Sequence, residues 1–274
     1  MRLLFALGLV AAFAAPAFPQ ARAGDKTTVS VESTMDVEIF VRDGSGAGEI
    51  TKRLNLVRRE TFEQEVLAAA EGLASSVRVK VVASTLQKSG SDTRLEEKAT
   101  ALVDQTYTST RGPSGWIAVD SNGGAAPADG AALGAWNDAG WLLPKDGPKA
   151  GGQWDVEAAQ VAALISPTGL REPAGKLSCS CRAVEGGKAS LTFSGSIWGK
   201  GKDDVQIKVT IKTGMMEYDL GKGRPTMLSM SGSYESMLSI EDVIRKPNEN
   251  IEERQKIGEI QVKSRKLEVK FDFK

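Results

Sequence analysis

Apolar and polar residues alternate along most of this chain, and breaks in the alternation mark its turns and helices. From Thr27 to Arg42 the odd positions Val29, Val31, Met35, Val37, Ile39 and Val41 are apolar, while Glu32, Thr34, Asp36 and Glu38 between them are polar. A period of two over that length predicts a long strand with one buried face. DGSGAG at 43–48 predicts a turn, and Ile50 to Val57 a partner strand. Thr61 and Gln64 have capping-box spacing, and Phe62, Val66, Ala69, Ala70 and Leu73 recur at helical intervals. That pattern predicts an amphipathic helix, with Gly72 weakening its last turn. Alternation resumes at Val77, Val79, Val81 and Ala83, then less regularly from Ala99 to Tyr107 and from Trp116 to Val119.

Residues 120–153 are rich in Gly and Ala and predict a long connection holding one short helix. It is also the place where the chain could divide. Asp155 is positioned to cap a second amphipathic helix, with Ala158, Val161, Leu164 and Ile165 on one face and Pro167 ending it. Five alternating segments follow, beginning at Leu177, Leu191, Val205, Met216 and Leu228 and joined by Gly-bearing turns. Residues 245–256 predict a charged connection. The last segment carries Ile260 and Val262, then Leu267, Val269, Phe271 and Phe273, so its apolar parity flips between Ser264 and Lys266. A flip of one residue requires a bulge or a turn there. Parallel βαβ units need helices between most strands, and the pattern lacks them. The expected fold is mainly β (α+β): a large curved antiparallel sheet or half-barrel meander, with two short amphipathic helices packed on its concave face.

The N-terminus adds an address. Arg2 precedes an apolar run from Leu3 to Ala15, Pro16 ends it, and Ala21-Arg22-Ala23 offers small residues to a signal peptidase. The run falls short of the ~20 residues a membrane-spanning helix needs. Residues 1–23 therefore read as a signal peptide, and 24–274 as one β-rich exported domain. Its destination is the periplasm or the cell exterior, without a lipid anchor or a transmembrane span after cleavage.

Composition narrows the function. The 274 residues hold 35 Lys+Arg against 35 Asp+Glu, so no basic surplus exists to bind nucleic acid. Histidine is absent, which removes Ser-His-Asp and Cys-His catalysis and imidazole metal sites. Cys179-Ser180-Cys181 could be a redox or Cu(I) pair, but on a strand both thiols share a face with Leu177 and Ala183 and read as core. The Gly-rich segments lack a following GK[ST], and Asp120 to Gly124 fails as a calcium loop because Gly124 replaces an oxygen ligand. No cofactor and no metal site are expected.

Trp136, Trp141 and Trp154 lie in or beside the connection, where they either plug one end of the core or form an aromatic platform. Met215, Met216, Met227, Met230 and Met237 cluster in the C-terminal strands, where methionine fills irregular cores or lines adaptable pockets. The candidate ligand-binding residues are accordingly Trp136, Trp141, Trp154, Met216 and Met230.

A Trp after a Gly-rich turn (LLPKDGPKAGGQWDV), then a helix and strands ending in MEYDLGKGR, resembles uncharacterised secreted bacterial protein families over residues 140–230. In outline the chain is also similar to the half-barrel of periplasmic lipoprotein carriers. The resemblance implies an exported β-rich domain with no assigned reaction. Two functions are compatible with the sequence. One is an exported, non-enzymatic binding or cell-envelope protein, whose partner is a lipid, another apolar or amphipathic small molecule, or an envelope protein. The other is a secreted carboxylate-dependent hydrolase acting without histidine.

Overall fold

The computed structural model describes residues 21–43, 48–70, 72–90, 93–100, 102–113, 115–126, 132–165, 170–201, 204–245 and 252–274. The apolar run Leu3–Ala15, most of the turn expected at 43–48 and Pro167 lie outside these residues. Among those described, twelve strands form one antiparallel sheet. They are β1 (Lys26–Asp43), β2 (Gly48–Ala70), β3 (Leu73–Gly90), β4 (Thr93–Ala99), β5 (Thr106–Gly112), β6 (Gly115–Asp120), β7 (Gln153–Glu157), β8 (Arg171–Glu185), β9 (Lys188–Lys200), β10 (Gln206–Asp219), β11 (Arg224–Arg245) and β12 (Glu252–Phe273). The spatial order is β6-β5-β3-β2-β1-β12-β11-β10-β9-β8-β7, with β4 beside the second half of β3. The sheet is open and uncurled, where a half-barrel was expected, and β6 and β7 form its edges.

The order follows from two meanders. The first starts at β1 in the middle of the sheet and runs out to β6. The chain then crosses to β7 at the far edge, and the second meander returns to β12, which pairs with β1 from Val29↔Phe273 to Asp43↔Gly258. The expected bulge in the last strand is present. Asp36 pairs with Lys266 and Val37 with Ser264, so Arg265 is the extra residue, and Ser264 Oγ donates to the Lys266 carbonyl at 2.6 Å. The bulge returns both apolar runs of β12 to one face.

The first expected amphipathic helix does not form. Residues 61–70 belong to β2, paired with β1 through Lys26↔Glu65 and with β3 from Thr61↔Ala83 to Ala70↔Leu73. Phe62, Gln64 and Val66 are buried and Glu63 is exposed, a period of two that the helical spacing concealed. Thr61 faces Ser30 across the sheet instead of capping a helix. With paired strands on both sides, the backbone hydrogen bonds of this segment are made without a helix.

The second helix does form, as α2 (Ala158–Ile165), preceded in the connection by a single turn, α1 (Ala132–Ala135), and a 3-10 segment, Trp136–Leu142. Asp155 is not its cap. It lies in β7, its carboxyl lowered from the ordinary value by hydrogen bonds from Lys176 and Ser178. The Glu157 N–H instead donates to Gln160 Oε1, 3.2 Å away. Three boundaries also differ from expectation. The segments beginning at Val205 and Met216, expected as two strands joined by a turn, are one strand, β10, in which a register shift near Thr213-Gly214 changes the apolar parity. The segment Ala99–Tyr107 is broken by a turn in which Leu102 is buried and Asp104 has φ 61°, and residues 252–256 extend β12 instead of forming a connection. Among the described residues no helix is long and apolar enough to cross a membrane.

The helical segments pack on one face of the sheet. α1 touches β3, β5 and β6, the 3-10 segment touches β3 and β11, and α2 touches β6 through β9. Core residues from both flanks of the sheet, including Val77, Trp116, Phe193 and Ile211, join one apolar cluster with the helical cover. Because Glu65 and Arg78 face each other across β2 and β3, the Glu65→Cys, Arg78→Cys double variant should form a disulfide on oxidation, seen as a mass two units lower. Failure to cross-link under conditions that oxidise other engineered pairs would restore the helical assignment.

Candidate ligand cavity

The central strands place Val31 and Met35 of β1, Phe62 of β2, Met230 and Tyr234 of β11, and Leu267, Val269 and Phe271 of β12 on the face beneath the helical cover. Trp136 and Leu164 reach them from the cover. Between the two lies a cavity of about 250 Å³. Its walls are apolar apart from a few groups. Its size exceeds the ~150 Å³ cavity that admits benzene and falls below the ~300–1,000 Å³ of a drug-sized pocket.

Two polar features interrupt the lining. Arg58 and Glu60 occupy positions of β2 that alternation assigns to the covered face, and their side chains pair at 2.7 Å. Glu60 is buried and also accepts from Ser84 Oγ at 3.1 Å, which in turn accepts from Thr100 Oγ1 at 2.7 Å. A buried carboxylate is tolerated because its lone pairs are used in this way. The second feature is Trp136. Its ring is 4% exposed and tilts against Phe273 at a centroid distance of 4.8 Å. Its indole N–H is buried without a hydrogen-bond partner among the described residues. Leaving such a donor unmet costs about 1–3 kcal/mol.

The cover is fastened beside this site. Gln64 Nε2 donates to Asn137 Oδ1 at 3.0 Å, and Asn137 Nδ2 donates to the Gly134 carbonyl at 2.9 Å. Gln64 is 4% exposed, so this amide pair fixes the 3-10 segment on β2 from within the core.

Of the five candidate residues, the structure brings Trp136 and Met230 together in the cavity wall. The other three lie elsewhere. Trp141 is half-buried beneath the Arg111 guanidinium, 5.3 Å from the ring centroid. Trp154 donates from Nε1 to the Leu142 carbonyl at 2.9 Å and borders a polar groove with Asp155 and Ser178. Met216 is 1% exposed within the core. Arg58 and Glu60 went unnoticed in the sequence, although their signal was present. In β2, Leu54, Leu56, Phe62 and Val66 share one parity, and Arg58 and Glu60 sit on it as two charged exceptions.

No protein-family model matches the chain, and no curated protein matches it in sequence.

Cys179 and Cys181 are buried free thiols of the core, Cys179 on β8 opposite Phe193. Burial, reinforced by Asp155, pushes the Cys179 thiol up to about 12, and burial raises Cys181 as well. Burial, with Asp219 adding to it, likewise pushes the Tyr218 hydroxyl up to about 12. In the unfolded chain these groups ionise near their ordinary values of 9.0 and 10.0, so the unfolded state sheds protons that the folded state keeps. Stability should therefore be full below about pH 9 and fall as the pH rises toward 12, measured by urea unfolding; Cys179→Val should flatten the decline. A stability that rises through this window would contradict the buried, protonated thiol.

Proposed function

We propose that this chain is an exported, non-enzymatic binding protein that holds a single apolar chain of an amphipathic molecule between its central strands and the helical cover. The observation that carries the reading is an apolar cavity lined by Trp136, whose buried indole N–H has no hydrogen-bond partner among the described residues. A hydrocarbon segment satisfies the lining, at roughly 25 cal/mol per Å² of apolar surface removed from water. An acceptor oxygen on that segment, as in a carboxyl, ester or hydroxyl group, would take the indole proton. The Arg58–Glu60 pair is neutral as a unit and presents both a donor and an acceptor to a polar head. A volume near 250 Å³ suits one short chain and excludes a multiply acylated lipid. Methionines at positions 35 and 230 give the wall the adaptability such a ligand requires. Export rests on the leader pattern, Arg2, Leu3–Ala15 and the Ala21-x-Ala23 site.

The test is titration of the purified protein with a dansyl-labelled medium-chain fatty acid, alongside native mass spectrometry of protein from its own host. Binding at one per chain is expected. Met230→Trp, which places a bulky indole in the cavity, should abolish it, and Trp136→Phe, which keeps an aromatic ring there and removes the donor, should weaken it about tenfold. A wild-type protein that binds neither the probe nor a host molecule, or a Met230→Trp variant that binds as well as wild type, would refute the reading.

A further inference from the structure

We propose a second binding site, for a short uncharged glycan segment, on the uncovered face of the sheet around Trp198. Strand alternation places Ile197 in the core at 0% exposed and turns Trp198 outward, where its side chain is 47% exposed. Among the tryptophans, Trp116 and Trp136 are buried and Trp141 and Trp154 half-buried, so Trp198 alone of the five is solvent-exposed. An indole displayed on a polar face leaves apolar area in water that the core could have taken.

The ring is held in place. It lies against the backbone of Gly175 on the neighbouring strand β8, where a Cβ would come within 2.6 Å of a ring carbon. Gly175 has φ +93°, a conformation that a side chain would disfavour in any case. The indole is therefore a supported flat surface.

Beside it runs a groove of about 590 Å³, within the ~300–1,000 Å³ range of ligand sites. Its polar groups suit hydroxyls. The registers set Lys208 directly beside Trp198, and Glu235 beside Lys208. Two residues along the strands, on the same face, the carboxamides of Gln206 and Gln261 flank Met237. A carboxamide offers donor and acceptor together, as vicinal hydroxyls require. Across the groove Lys200 pairs with Glu172 at 2.9 Å. Two lysines and two glutamates leave the groove without net charge, so it favours neither a polyanion nor a polycation. A pyranose fits these terms. Its C–H face packs on an indole, and its edge carries uncharged hydroxyls that accept and donate at once.

The experiment is acrylamide quenching of tryptophan emission in the full chain, titrated with chitotetraose and separately with cellotetraose. Because Trp198 is the exposed indole, occupancy should give saturable protection from quenching with at least one of the two sugars. Trp198→Ala should lose binding by more than tenfold, measured by calorimetry, Trp198→Tyr should retain part of it, and Gln261→Ala should weaken it severalfold. Met230→Trp should leave sugar binding unchanged, which separates this site from the cavity beneath the cover. Absence of saturable protection with both sugars, or undiminished binding by Trp198→Ala, overturns the proposal. So does protection obtained only with a sulfated polysaccharide.

Discussion

The pairing of the first strand with the last holds this molecule together. Each meander is assembled from neighbours in sequence, but β1 and β12 meet only after nearly the whole chain has been laid down. Their ladder must offset a large loop-closure entropy before it stabilises anything. Two features make it specific. The bulge at Arg265 keeps both apolar runs of β12 on the covered face. On the opposite face a row of alternating charge crosses five strands, from Lys208 through Glu235, Lys263 and Glu38 to Arg53. Glu38 meets Arg53 at 3.2 Å and Arg265 at 3.8 Å. A slip of one residue would carry this row to the apolar side, which penalises every competing register.

The cover follows from the same arrangement. A chain that begins and ends at the centre of a sheet must travel from one edge to the other in between, and the described residues 132–152 of that passage lie on the apolar face. The connection thereby becomes the partner that the face requires. It brings Trp136 over Phe273 near the end of β12 and leaves a space above Met230 and Phe271 that its short helical segments do not fill. The cavity is thus a product of topology: long strands beneath a brief crossing. The uncovered face, with no such partner, stays polar except at a few positions, Ile117 and Trp198 among them.

Much of the fold was legible because period-two patterning survives wherever one face is buried and the other is wet. The strands β8, β9 and β11 and the flip at Ser264–Lys266 followed from parity, and helix α2 from its helical spacing, but the segments at Val205 and Met216 read as two strands because the register shift at Thr213-Gly214 changes the apolar parity within β10. The region around residues 61–73 misled because Phe62, Val66 and Ala70 satisfy a helical period and a strand period together, and only the flanking strands decide between them. The cavity was half legible. Met230 and Trp136 were found by residue type, but the type could not separate them from Met216, Trp141 and Trp154, whose positions depend on how the connection crosses. Arg58 and Glu60 were hidden by the same error that put a helix beside them. Trp198 was hidden because one indole in a strand declares its face only once the whole parity of β9 is followed.

Amide hydrogen exchange under increasing urea tests the central ladder most directly. If β1 and β12 hold the two meanders together, the amides of Val29–Val37 and Leu267–Phe273 should exchange only through global unfolding, with the same free energy and denaturant dependence as the core of β9 and β10. Exchange of β12 through an earlier, separate opening while β8–β10 stay protected would show that the second meander stands without the first, and would contradict the account.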